Sequence, residues 1–277
     1  MSVPIRLILF ASQSIKPSDV HTFKNAAKTV ADDYKKHYPS DTVLLKGFSN
    51  GKELVRAISS QNDKSIYSLD VVSHGNQGGI HIAKKLSPPE KSPVAKAYYH
   101  HQLRGRNGLN LDPQYPQTKQ DAEFMEESMH GLYTNNTVAT WVSRYYNQKL
   151  IKKQGILSDE YMEGIATIGE IPFSRFVSGA FVEFHGCRAA EKIPYLNDIF
   201  DNFTKDFADK MPSESIVVGH TTNNFPNNHP GGRKNDYRHN KIRVYQAGWY
   251  SSSALYDEKP IERWGKKFQN SSTPPAE

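Results

Sequence analysis

Ile66-Tyr67-Ser68-Leu69-Asp70-Val71-Val72 runs directly into Ser73-His74-Gly75-Asn76-Gln77-Gly78-Gly79. The first seven residues are apolar and β-branched enough for a buried strand, and the polar, glycine-rich stretch behind them ends it. Two similar units lie upstream. Residues 5–10 form an apolar run with one charge. Ser18 is a candidate cap for the helix that follows, which sets Val20, Phe23, Ala27, Val30, Ala31 and Tyr34 on one face. Residues 42–45 read as a second strand, after which Asn50 and Gly51 open a helix carrying Leu54, Val55 and Ile58. Strands alternating with helices predict a parallel sheet with right-handed crossovers and helices on both faces.

The alternation breaks after residue 82. Residues 86–120 hold Pro88, Pro89, Pro93, Pro113 and Pro116 and predict a long loop. Val138, Trp141, Val142 and Tyr145 stand at helical spacing and predict a helix within 121–153, with a shorter one at 158–168. Gly78-Gly79 reads as a turn into an extended 80–82. The sheet resumes at 179–184. A helix from about 194 carries Leu196, Ile199, Phe200, Phe203 and Phe207, and strands follow at 215–219 and 242–247. The fold class expected is therefore α/β: one domain over 1–277, a mostly parallel central sheet of about six strands flanked by helices, and a loop-plus-helix insertion at 86–170.

Of 277 residues, 37% are hydrophobic and 23% charged, which excludes a disordered or collagen-like chain. A single cysteine, Cys187, excludes an internal disulfide and any cysteine-rich zinc cluster. The apolar run at 7–11 is too short for a signal-peptide core, and no stretch approaches the ~20 apolar residues of a membrane span. The expectation is a cytoplasmic protein, or one exported without a cleaved signal. The net charge of +6 is concentrated at 84–106 and 231–243, where Arg233, Lys234, Arg238, Lys241 and Arg243 face only Asp236. Such segments suit a polyanion. No zinc-finger spacing, helix-turn-helix or aromatic RNA-binding signature accompanies them, which argues against nucleic acid.

In open parallel sheets, catalytic groups collect beyond the carboxyl ends of the strands. There the third strand delivers His74, and the fourth delivers His185-Gly186-Cys187. An imidazole beside a thiol can hold it as thiolate or take its proton during attack. Gly75 and Gly186 let backbone approach a reacting carbonyl, and amides near Gly75 and Cys187 can face a developing oxyanion.

Val71-Val72-Ser73-His74-Gly75 and Phe181-Val182-Glu183-Phe184-His185-Gly186-Cys187 resemble the paired motifs of the cysteine-peptidase clan that contains caspases, metacaspases, gingipains, clostripain, legumain and separase. The Gly-Cys ending is similar to the self-cleaving cysteine-peptidase domains of large bacterial toxins. The resemblance implies a caspase-like fold and hydrolysis of peptide bonds through an acyl-enzyme, with His74 and Cys187 as the dyad and Gly75 and Cys187 as oxyanion donors. It implies a peptide or protein substrate, no cofactor and no catalytic metal, and a toxin or effector setting. An inositol phosphate or other polyanion is the activator it suggests, with 233–243 as the basic segment. Glu183 and the loop holding His220, Thr221 and Asn223 are the substrate-binding candidates. Two other readings stand beside this one: a non-catalytic interaction protein on the same fold, and a zinc-dependent hydrolase using His74, His185, His220 and Cys187.

Overall fold

Strand β1 (Ile5–Ala11) has Leu7, Ile8 and Leu9 fully buried. A strand apolar on both faces must be covered on both, which suits the interior of a parallel sheet. In the computed structural model, which describes residues 3–14, 17–76, 78–82, 130–134, 164, 166–191, 202–223, 235–238, 242–248 and 253–257, β1 is flanked by two parallel partners. These are β2 (Thr42–Phe48) and β3 (Ile66–Val72).

A second, smaller sheet follows β3 at once, with the order β4-β5-β6-β7: β4 (His74–Asn76), β5 (Gly79–Ile82), β6 (His130–Tyr133) and β7 (Ala166–Thr167). The main sheet then takes up β8 (Phe176–Phe184) and β9 (Ile216–His220) in parallel. It closes with β10 (Ile242–Gln246) and β11 (Ser253–Asp257), each antiparallel to its inner neighbour. The seven strands lie in the order β11-β10-β9-β8-β3-β1-β2. The chain is thus α/β with a mostly parallel central sheet, as expected, and β11 is an additional strand.

Helix α1 (Pro17–His37) joins β1 to β2. It begins on Pro17, whose missing N–H costs nothing at a first helical position, so Ser18 lies inside the helix and not at its cap. Phe23, Ala27, Val30, Ala31 and Tyr34 form its buried face. The Tyr34 hydroxyl donates to Asp70 Oδ2 at 2.7 Å, which fixes α1 over the face carrying Asp70 and its register neighbour Glu183. Helix α2 (Gly51–Ser59) is capped by Asn50, whose side chain accepts from the Glu53 amide, and Leu54 and Ile58 are buried. Returning from β2 past β1 to β3 by a right-handed crossover puts α2 on the opposite face. Helix α3 (Phe203–Ala208) also covers that second face: Phe203 and Phe207 each meet Phe184 edge-on at 4.9 Å, and Phe184 points opposite to Glu183.

Three expectations need correction. The predicted helix over 121–153 is strand at His130–Tyr133, where Gly131 pairs with His81 and a Cβ would stand 2.4 Å from the Ile80 carbonyl oxygen. The remainder of that helix lies outside the described residues. In the expected helix at 158–168, Ala166–Thr167 is strand and Ile168 opens a 3-10 turn. The helix expected from about 194 does not pass through Asn202, an extended N-cap that accepts from the Lys205 amide at 3.0 Å and starts α3 afresh.

Candidate active site

The connection from β1 runs to β2 on one side, and that from β3 runs to β8 on the other. The carboxyl ends of β1 and β3 therefore flank a topological switch point, the place where a doubly wound sheet opens a crevice. Ser14 and Asp19 arrive there from β1 and the first turn of α1, and His74 arrives from β3.

His74 is the first residue of β4 and is held on several sides. Its Nε2 stands 3.3 Å from Asp19 Oδ2 and 3.5 Å from Ser14 Oγ, and the Ser14 hydroxyl donates to the same carboxylate at 3.1 Å. Phe23 meets the ring edge-on at 5.0 Å, and His81 stacks on it at 5.9 Å. About a third of the side chain remains exposed to solvent. His81 is buried; that burial, then the neighbouring His74, holds its imidazole down to about 3, so it is neutral at neutral pH.

Cys187 approaches from β8. The His185 amide donates to the Val71 carbonyl at 2.9 Å, which carries the strand pairing past the end of β8. The next residue, Gly186, then lies against Gly75. A Cβ on Gly75 would stand 2.9 Å from Gly186 Cα and 3.0 Å from the Cys187 carbonyl oxygen; one on Gly186 would stand 3.0 Å from Gly75 Cα. Backbone touches backbone, with no space for a side chain on either strand end. Arg188, directly after the thiol, has φ of 56°, a left-handed conformation that a residue with a Cβ seldom adopts. Its amide donates to the Thr222 carbonyl, and the Ala190 amide donates to that of His220, so the turn is tied to the end of β9.

The thiol is half-buried. Tyr237 lies close enough that burial, then the charges of Cys187 and Asp19, push its phenol well above the usual value. The Tyr237 ring is 6.5 Å from Phe23, which itself packs on His74. Tyr237, Phe23, His74 and Asp19 are therefore linked through Phe23 and His74, and Cys187 lies near enough for its charge to act on Tyr237. A scan against protein-family models, a search of curated proteins and a search of solved structures each found no match.

The other histidines of the sequence reading go elsewhere. His185 Nε2 contacts Asp70 Oδ1 at 2.9 Å, its Nδ1 lies 3.8 Å from Glu183 Oε1, and His220 Nε2 lies 4.0 Å from that same oxygen. All four side chains are at most 2% exposed. His185 and His220 thus group with Glu183, apart from His74 and Cys187. Of the substrate-binding candidates, Glu183 and His220 are completely buried, Thr221 is nearly so, and Asn223 is exposed.

The basic segment also differs from expectation where it is described. Arg238 is buried and donates to Asp33 Oδ2 at 2.6 Å and to both oxygens of Asp236 at 2.8 Å. Burial works to raise the Asp236 carboxyl, and the Arg238 guanidinium more than reverses it, leaving the group at about 2. Arg243 is buried too and donates to the Ala190 carbonyl at 2.8 Å. Both arginines are committed to internal partners, leaving neither for a polyanion. Arg233, Lys234 and Lys241, like the segment at 84–106, lie outside the described residues.

Asp19, Ser14 and Tyr237 are the site residues that sequence reasoning missed. Asp19 carried a usable signal, because an acidic residue in the first turn after β1 falls at the switch point of a doubly wound sheet. Tyr237 carried none, since its position depends on a long return from β9.

Proposed function

We propose that the protein is a cysteine peptidase in which Cys187 attacks a peptide carbonyl and His74 exchanges the proton. The observation that carries this reading is the close packing of Gly75 on Gly186, which sets the His74 and Cys187 segments side by side at the carboxyl edge of the sheet. Asp19 supports it as the group that orients the imidazole, completing the nucleophile, base and orienter logic of thiol catalysis. In the reaction the thiolate sulfur forms a bond to the carbonyl carbon, and His74 gives its proton to the departing amine. Water then adds to the thioester with His74 as base, releasing the acid and restoring the thiol. In this reading the amides of Gly75 and Cys187 receive the oxyanion. No cofactor is needed for these steps.

The test is hydrolysis of a peptide library by purified protein, read by mass spectrometry. The proposal expects cleavage by wild type, and none by Cys187→Ala or His74→Ala of unchanged circular dichroism. Equal cleavage by Cys187→Ala would remove the proposal. A folded wild type that cleaves nothing, and whose biological effect survives Cys187→Ala, would favour an interaction protein on the same scaffold.

A further inference from the structure

The ring of His74 is contacted in two different ways. Asp19 and Ser14 meet its edge, at Nε2. His81 lies against its face, with the two ring planes 5.9 Å apart at their centres and only 17° from parallel. Strand register sets up this stack: β4 and β5 run antiparallel with His74 opposite His81, so both side chains leave the same face of the small sheet. On its other side His81 pairs with Gly131 of β6, which brings no side chain, so His74 is the cross-strand side chain on which His81 packs. The rest of β5 is Gly79, Ile80 and Ile82, and all four residues are buried. An aliphatic side chain would suit such a strand with no polar atoms to accommodate. What an imidazole adds there is a flat ring.

We propose that His81 is a positioning residue for His74, a fixed plate that holds the plane of the imidazole beside the Cys187 turn. This role rests on the peptidase reading of the site and deepens it. Rotation about the last side-chain bond of a histidine is soft, with two broad wells related by a flip. A flip would carry Nε2 away from Asp19 and put carbon in its place, and the two ring nitrogens are not interchangeable in proton transfer. A contact at one nitrogen lets the ring swivel about that contact, whereas a parallel neighbour over its face opposes the swivel. The strand that carries the plate is itself closely backed: a Cβ on Gly131 would stand 2.8 Å from His81 Cα. Charge matters as well, because His74 becomes an imidazolium when it takes a proton, and a second cation stacked on it would oppose that step. Burial, then the charge of His74, keep His81 unprotonated down to about 3, so it supports the imidazolium without repelling it.

The test is the rate of Cys187 alkylation by a small haloacetamide as a function of pH, in wild type and in His81→Leu, His81→Gln, His81→Phe and His74→Ala of unchanged circular dichroism. Loss of the plate should slow alkylation by about 2–10-fold at about pH 6, where the thiolate needs the imidazole, and leave the wild-type rate at about pH 9.5, where a thiol ionises unaided. His81→Phe restores a ring and should recover the wild-type profile. A wild-type profile in His81→Leu and His81→Gln would overturn the assignment, and so would equal slowing at both pH values, which marks a displaced thiol and not a misoriented base. A folded His81→Phe no better than His81→Leu would overturn it too. Should His81→Phe not fold, the two ring-free variants decide through the shape of the profile alone. His74→Ala separates the two claims. If it keeps wild-type reactivity at the lower pH, the peptidase reading fails and the role of His81 with it; if it loses that reactivity while the His81 variants keep it, the role of His81 alone fails.

Discussion

Gly75 and Gly186 meet backbone to backbone across the carboxyl edge of the sheet, so closely that a Cβ on the first would stand 2.9 Å from the Cα of the second. A methyl group there has no flexible neighbour to displace. Gly75→Ala should therefore force the two strand ends apart, cost about 1–3 kcal/mol in a urea melt, and slow reaction of Cys187 with a small haloacetamide. A variant as stable and as reactive as wild type would mean that the contact does not set the spacing of the two segments.

Asp19 reaches His74 Nε2 at 3.3 Å from the first turn of α1, and both side chains are partly exposed. The pair is expected to matter for orientation more than for stability, because half-exposed ion pairs contribute at most about 1 kcal/mol. Asp19→Asn should leave the melting temperature nearly unchanged and lower peptide hydrolysis by about 10-fold or more. Unaltered turnover would make the carboxylate a bystander.

Much of this arrangement was legible in the residues. Ile66–Val72 followed by Ser73-His74-Gly75, and the apolar end of β8 followed by His185-Gly186-Cys187, mark strand ends by composition alone, and parallel topology then puts them on one edge. The early start of β8 at Phe176 was not legible. Gly179, at φ of 74°, looks like the boundary of a strand and is instead the irregular point within one. β6 escaped for a different reason: His130-Gly131-Leu132-Tyr133 is a strand because β5 lies beside it, and such pairing leaves no local periodicity. The burial of Arg238 was likewise unreadable. Its partner Asp33 is remote in sequence, so a run of basic residues reads as a surface for a polyanion.

Removing one partner of the Arg238 cluster leaves charge buried without its counterion. Arg238→Ala should destabilise the fold by about 3–5 kcal/mol in a denaturant melt. A pH effect follows from Asp236, whose folded value of about 2 lies below its unfolded value. The stability this pair contributes is complete above the unfolded value, near pH 4, and is lost as pH falls toward 2. Melts of wild type and Asp236→Asn should differ most at neutral pH and converge in acid; a constant difference would contradict the assignment.

His81 acts in the same direction but from a higher pH. The folded protein holds its ring neutral down to about 3, whereas the unfolded chain takes up a proton near the ordinary histidine value of about 6.5. Between those values unfolding binds a proton, so stability falls on acidification, by up to about 1.4 kcal/mol per pH unit. His81→Gln should flatten that slope between pH 6.5 and 3. An identical slope would show that other groups govern acid unfolding.

The central claim is that His74 and Cys187 act on one another. Because Cys187 is the sole cysteine, intact mass after treatment with a haloacetamide reports that residue without assignment. A thiol assisted by imidazole reacts well below the ordinary cysteine value of about 8.5. The account predicts rapid alkylation of folded wild type near pH 6 and a marked loss of that reactivity in His74→Ala. Cys187 that stays inert until denaturant is added, or that reacts alike with and without His74, would contradict it.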